Sequence, residues 1–221
     1  MAPAGSFESL AAALQGGADS VYFGIGKLNM RSRATANFAE EDLPEIVARC
    51  HETGAKAYLT LNIIVYDEEL ETVRNLCAAA KAAGVDAVIA SDLAVITHAH
   101  SIGLEVHMSV QANVCNMASV RFYAQYADVV VLARELTLGQ IRRIIDGIRD
   151  EGIRGPSGDL IRVEIFAHGA LCVAVSGKCH MSLAAYNSSA NRGACFQNCR
   201  RAYRVTDEET GNELVIDNKY V

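Results

Sequence analysis

The chain has 221 residues, 51% of them hydrophobic, and a formal net charge of −6. This length and apolar content suffice to bury the core of one domain, or of part of a larger one. The acidic balance disfavours a protein that binds nucleic acid over its whole surface. No apolar run approaches the roughly 18 residues of a membrane span, and the first residues lack the charged start of a signal peptide. We therefore expect a cytoplasmic protein that does not enter a membrane.

Short runs rich in β-branched residues alternate with amphipathic stretches along most of the chain. Two helices are predicted at 40–54 and 67–84, ending in Gly54 and Gly84. Residues 2–17 resemble the loop and helix that follow a strand, so a seventh strand is expected before Met1. Repeated strand–helix units without hairpin signals predict an α/β fold with parallel strands. The six strands visible in the sequence are 20–25, 56–62, 86–91, 104–110, 128–134 and 162–169.

Polar residues recur where the predicted strands end, which favours a barrel over a doubly wound sheet. In a (β/α)8 TIM-like barrel these ends form the active-site mouth, whereas a flat sheet needs them only near one switch point. No G-x-G-x-x-G follows a strand, so the dinucleotide-binding fingerprint is absent. We expect an incomplete barrel over residues 1–170 and a Cys-rich segment over residues 171–221. The polar residues at strand ends are Asn62, Ser91, Asp92, Ser109, Gln111, Asn113, Arg134, Glu135 and His168.

The predicted strand 104–110 carries His107, Ser109 and Gln111 on one face. Three polar residues pointing into a barrel would line a pocket for a small polar molecule; polar groups that satisfy one another are the alternative. Arg134 is interpreted either as an ion-pair partner of Glu135 or as an anion clamp. The candidate substrate-binding residues are His107, Ser109, Gln111, Asn113, Arg134 and Arg31.

Four of the seven cysteines form the pattern C-x6-C-x15-C-x3-C at Cys172, Cys179, Cys195 and Cys199. In a reducing compartment, clustered thiolates bind metal more readily than they form disulfides. The spacing is looser than in most zinc knuckles and favours an iron–sulfur cluster over zinc. Zinc and free buried thiols stay open as alternatives.

The cysteines lie in a basic island on an acidic chain. Residues 170–206 hold five of the 20 Lys and Arg residues and none of the 26 Asp and Glu residues, so the remainder has 15 positive and 26 negative charges. Such an island attracts an anionic partner such as phosphate or RNA, unless its arginines pair with carboxylates elsewhere in the fold.

Glu164, Phe166 and His168 alternate along the last predicted strand and would share one face. Glu164 and His168 are therefore candidate catalytic residues for acid–base chemistry, with a self-satisfied buried pair as the alternative. The serine-hydrolase motif G-x-S-x-G and the zinc-protease motif H-E-x-x-H are both absent.

Residues 164–172 (EIFAHGALC) and 177–182 (GKCHMS) resemble the signature of the U32 peptidase family, the collagenase-like proteases. The segments MAPAG, GADSVYFG, HMSVQANVCN, VVLAREL and NRGACFQNCR are similar to that family as well. The resemblance implies a barrel-like N-terminal domain followed by further sequence.

For function, the resemblance implies either a peptidase or an iron–sulfur protein. Members of the second kind support oxygen-independent hydroxylation of tRNA, ribosomal RNA or a quinone precursor. It implies Cys172, Cys179 and Cys195 as ligands of a 4Fe–4S cluster, with Cys199 or a residue beyond Val221 as the fourth. We expect hydroxylation of RNA (tRNA or rRNA) or of a related small substrate, with a peptidase, a metal-stabilised accessory subunit and an oligomer as open alternatives.

Overall fold

The computed structural model describes residues 1–30, 32, 37–169 and 172–216. Within these residues, seven parallel strands follow one another in chain order across a single curled sheet. The sheet and its helices form a half-barrel, an incomplete TIM-like α/β fold. The strands are β1 Ala2–Ala4, β2 Ser20–Gly24, β3 Lys56–Leu61, β4 Ala87–Ala90, β5 Val106–Met108, β6 Val129–Val131 and β7 Arg162–Glu164. The helices are α1 Phe7–Gln15, α2 Leu43–Glu52, α3 Leu70–Ala83, α4 Leu93–Ser101, α5 Met117–Tyr123 and α6 Leu138–Glu151.

The parallel order confirms the predicted fold class, but four strand assignments were wrong in position. The seventh strand is β1, inside the chain at Ala2–Ala4, where it pairs with β2 through Ala2 and Val21. Its three residues include a proline, which suits an edge strand and leaves no β-branched run to recognise. Strand β5 ends at Met108, β6 at Val131 and β7 at Glu164, earlier than the predicted ends.

The predicted helix ends agree with the structure. Gly84 closes α3 with a φ of 82°, and Gly54 follows α2 with a φ of 75°. Only glycine adopts this left-handed conformation without a steric cost from Cβ. Each predicted helical segment begins with a short 3-10 turn, Glu40–Asp42 or Asp67–Glu69.

The strands separate two apolar layers. Alternate residues such as Phe23, Leu59 and Met108 face the helices and are buried in the main core. The opposite residues, including Tyr58 and Ile89, form a smaller cluster on the inner face of the half-barrel. The inner face is therefore the one that carries His107 and Glu164, which also alternate with core residues.

The Cys-rich segment has its own small elements after β7. Helix α7 (Met181–Tyr186) is followed by two 3-10 turns and an antiparallel hairpin of β8 (Tyr203–Thr206) and β9 (Glu213–Ile216). This hairpin forms a separate sheet and was not predicted. The division at residue 170 stays a prediction. No helix among the described residues combines the length and the apolar character needed to cross a membrane.

Candidate functional site

Arg134, in the loop that follows the last residue of β6, Val131, attaches the Cys-rich segment to the half-barrel. Its guanidinium donates to Cys172 O at 3.2 Å, to Ala174 O at 2.8 Å and to the Ser176 hydroxyl at 3.0 Å. The planar fork of arginine suits several acceptors in fixed directions. Arg134 thus binds the loop of Cys172, and an ion pair with Glu135 is not formed in the described structure.

The loop after β5 holds the same segment from a second side. The Asn113 amide donates to Ser176 O at 2.6 Å and to Gln111 O at 3.1 Å. Gly177 has a φ of 71°, and a Cβ there would lie 2.9 Å from Gln111 Oε1. A side chain at Gly177 would therefore push the two loops apart.

The loop after β3 supplies the third attachment. Arg192 donates two hydrogen bonds to the Glu69 carboxylate, at 2.9 and 2.5 Å, and its guanidinium lies 3.9 Å from the centroid of the Tyr66 ring. The hydrogen bond from Arg192 lowers the pKa of Glu69. Two arginines of the basic island therefore pair with carboxylates: Arg192 with Glu69, and Arg204 with Glu213.

Cys172, Cys179, Cys195 and Cys199 all belong to the segment that these contacts attach to the strand ends. Burial raises the pKa of Cys199, and the charges of Cys172, Cys195 and Cys179 raise it further. The amide of Cys179 donates to the Asn191 side chain at 2.9 Å, which fixes the backbone at that position.

The donor chemistry of these thiols fits a soft metal centre. Four neighbouring sulfurs suit an iron–sulfur cluster or zinc, since both prefer thiolate ligands. In the described residues, however, no three His, Cys, Asp or Glu side chains converge closely enough to hold a metal ion. The fit therefore concerns the type of ligand, not the arrangement of the four sulfurs.

The remaining cysteines are separate from this group. Cys50 and Cys77 are buried in α2 and α3, and burial raises the pKa of each thiol to about 11. Cys115 is exposed and accepts a hydrogen bond from Asn116 at 3.6 Å.

A cavity of about 120 Å³ lies between the strand ends and the Cys-rich segment. Gln111 lines it, and the buried Gln111 Oε1 has no hydrogen-bond partner among the described residues. Ser109 supports the wall by accepting from the Asn62 amide at 3.4 Å and from Gln111 N at 3.3 Å. Such a cavity can bind a small polar group through amides and hydroxyls. Its polar lining residues are Asn62, Ser91, Asp92, Gln111 and Asn191.

His107 is not among the described residues that line this cavity; it is the central residue of β5 and is buried. Its Nε2 is 2.9 Å from Glu105 Oε1, which also accepts from Arg162 at 2.5 Å. The His107 ring packs against Tyr58 at 4.6 Å between centroids. This arrangement matches the alternative of polar groups that satisfy one another, although His107 Nδ1 is buried without a partner in the described part of the chain.

The two candidate catalytic residues are not brought together on one strand. Glu164 is half-buried on the inner face, and burial raises the pKa of its carboxyl group. Strand β7 ends there, with Leu132 N donating to Glu164 O, and His168 follows in an exposed loop. The predicted shared face of Glu164, Phe166 and His168 was therefore wrong, because alternation applies only within a strand. Their catalytic roles stay predictions.

Arg31 lies outside the described residues. Sequence reasoning missed Glu105, Ser176 and Asn191, which bind partners distant in the sequence. The only sequence signal for Ser176 and Asn191 was that both stand in the Cys-rich segment.

Stability at acid pH should depend on Glu105. Its pKa falls from 4.5 to about 2, first because of the hydrogen bond from His107 and then through Arg162. A lowered carboxyl pKa stabilises the fold above pH 4.5, and this contribution is lost as the pH falls towards 2. Glu105→Gln should therefore lower the free energy of unfolding near neutral pH and flatten its decline below about pH 4.5. Urea unfolding at several pH values measures both effects.

Glu151→Gln is the matched control, because Glu151 forms an exposed ion pair with Arg121. Exposed pairs contribute about 0–1 kcal/mol. If both variants had the same pH profile as the wild type, Glu105 would have no special role in acid stability.

A parallel half-barrel with a thiol-rich segment over its strand ends defines an α/β protein with a candidate metal centre beside a polar cavity. The sequence pattern of peptidase family U32 matches residues 5–221. The chain belongs to this family.

Curated relatives carry two kinds of name. A collagenase from Porphyromonas gingivalis is 54% identical over the whole chain and 53% of its own length. A 23S rRNA 5-hydroxycytidine synthase from Escherichia coli is 37% identical over 87% of the chain and 28% of its own length. The tRNA hydroxylation protein P of the same organism is 34% identical over the whole chain and 47% of its own length. The chain thus spans about half the length of these relatives or less.

A solved structure of a U32 peptidase has the same fold. It superimposes with a TM-score of 0.57 at 14% sequence identity, covering 77% of this chain and 93% of the solved one. At this identity the comparison concerns the fold alone.

Proposed function

We propose that this chain is the barrel part of a 4Fe–4S enzyme that supports oxygen-independent hydroxylation of RNA. The observation that carries the proposal is that Arg134 and Asn113 attach the Cys-rich segment to the C-terminal ends of the strands, where it closes a polar cavity. In TIM-like folds this end carries the active site. The names of the tRNA- and rRNA-modifying relatives support RNA as the substrate class.

Cys172, Cys179, Cys195 and Cys199 would hold the cluster, with zinc as the alternative metal. A bound 4Fe–4S cluster supplies one-electron transfer. The chain's own residues supply position and hydrogen bonds. Arg134 fixes the backbone of Cys172, and Asn191 fixes that of Cys179. Gln111 and its neighbours in the cavity wall would orient a polar group of the substrate.

A peptidase is the second candidate, favoured by the 54% identity to a collagenase. A cysteine nucleophile needs a base within hydrogen-bond reach. Cys172 and His168 are both exposed, and no hydrogen bond joins them in the described structure. The thiol group therefore lacks the orientation that a cysteine peptidase requires, and we place this function second.

The test uses the full-length protein and its gene deletion. Deletion should remove an RNA nucleoside that is heavier by one oxygen atom, and the wild-type gene should restore it, as measured by mass spectrometry of digested RNA. A Cys179→Ala gene should not restore it. Unchanged RNA in the deletion strain, together with metal-free hydrolysis of collagen peptides by the purified protein, would contradict the proposal and favour the peptidase.

A further inference from the structure

We propose that Tyr186, Phe196 and Arg201 form a stacking platform for an unpaired RNA nucleotide. The inference rests on the proposed RNA function and adds a binding surface to it. Tyr186 is the last residue of α7, and Phe196 lies in the loop after Cys195. Their ring centroids are 4.7 Å apart with an interplanar angle of 40°, and the residues are 44% and 37% exposed.

A buried hydrogen-bond network holds these two exposed rings in place. The Ser182 hydroxyl, with no exposed surface, accepts from Phe196 N at 3.0 Å and donates to Asn198 Oδ1 at 3.1 Å. The Asn198 amide in turn donates to Met181 O at 3.2 Å. The loop of Phe196 is thus fixed to α7. Rigid aromatic rings at a surface bind with little loss of side-chain entropy, which suits a recognition site.

Two arginines close to the rings in sequence, Arg200 and Arg201, have no carboxylate partner in the part of the chain that the structure describes. Arg201 donates to the Tyr186 hydroxyl at 3.1 Å, and its guanidinium lies 5.9 Å from the ring centroid. Arg200 donates to the Gln197 amide oxygen at 3.2 Å. No ion pair involves Arg200 or Arg201 within the described residues, in contrast to Arg192 and Arg204. Both charges therefore stay available for phosphate.

This combination matches the chemistry of single-stranded RNA. Unpaired bases stack on aromatic rings and on arginine planes, while nearby arginines bind the phosphates. A partner protein would also contact the arginines, but the two adjacent aromatic rings favour a flat nucleobase that stacks on them. The platform adjoins the thiols in sequence, since Phe196 follows Cys195 and Arg200 follows Cys199. A base stacked there would place its neighbours close to the proposed cluster.

The experiment measures binding of a labelled single-stranded oligoribonucleotide to the full-length protein by fluorescence anisotropy. Tyr186→Ala should weaken binding about 5- to 150-fold, the range for loss of one base–aromatic stack. Tyr186→Phe keeps the ring and should bind nearly as well as the wild type. Phe122→Ala removes a ring of similar exposure on α5 and should leave the affinity for the oligoribonucleotide unchanged. Arg201→Ala should weaken binding and reduce its salt dependence, because one phosphate contact is lost.

Equal affinity of Tyr186→Ala and the wild type would overturn the platform. If that variant instead lost thermal stability with RNA affinity unchanged, the rings would be a contact for another part of the protein. RNA hydroxylation is scored separately on the same preparations. If the protein hydroxylates RNA but Tyr186→Ala does not weaken RNA binding, the platform alone is wrong. If Tyr186→Ala weakens RNA binding but the wild type does not hydroxylate RNA, the proposed function alone is wrong.

Discussion

Cys179→Ala in the full-length protein is expected to lose most of its bound iron and sulfide, more than about tenfold relative to the wild type, because ligands contribute at least as much as the groups around them. The fold should survive, since the backbone at Cys179 is held through its amide to Asn191 and not through the thiol. Metal analysis of anaerobically purified protein measures the loss, and circular dichroism checks the fold. Cys172→Ala and Cys195→Ala should behave in the same way.

Cys115→Ala is the matched control, because Cys115 is also exposed and lies in a loop after a strand. Its iron content should equal that of the wild type. Cys199→Ala shows whether the fourth ligand lies in this chain: loss of iron places it at Cys199. Retention of iron in Cys179→Ala, with loss in Cys115→Ala, would contradict the proposed ligand set.

Arg134→Ala is expected to lower metal affinity about 10- to 100-fold without removing a ligand, the usual effect of losing a group that positions a metal site. The guanidinium holds the backbone at Cys172, Ala174 and Ser176, and alanine leaves these acceptors to water. Cleavage within residues 172–177 by a nonspecific protease should become faster. Iron titration and limited proteolysis measure the two effects.

Arg134→Lys should fall between the wild type and alanine, because one ammonium group cannot span three acceptors. Arg149→Ala is the control, since Arg149 is exposed on α6 and lies 3.9 Å from Asp146. If Arg134→Ala matched Arg149→Ala in both assays, Arg134 would not position the loop.

The fold could be predicted because its signals are local. Each helix–glycine–strand unit carries its apolar pattern within about 30 residues, and the same unit repeats along the chain. Strand β1 was predicted in the wrong place because Ala2, Pro3 and Ala4 show no β-branched or alternating apolar pattern. Its pairing with β2 decides the structure, and such pairing is not visible in a three-residue segment.

The site was predictable only in part because its contacts are long-range. Gln111 was expected to line a pocket, and it does, but through the turn after β5 and not through the strand itself. His107 was predicted to line the same pocket because the alternation of side chains along a strand gives the face of the sheet but not the position along the barrel axis. Glu105, two residues earlier, and the Tyr58 ring hold its side chain outside the set of residues that line the cavity. The bonds of Arg134 to residues about 40 positions away could not be read from spacing.

Quantitation of iron and acid-labile sulfide in the anaerobically purified full-length protein tests the metal centre most directly. A 4Fe–4S cluster predicts roughly four iron and four sulfide per chain. Stoichiometric zinc without iron, or a metal-free protein with full activity, would contradict an iron–sulfur enzyme.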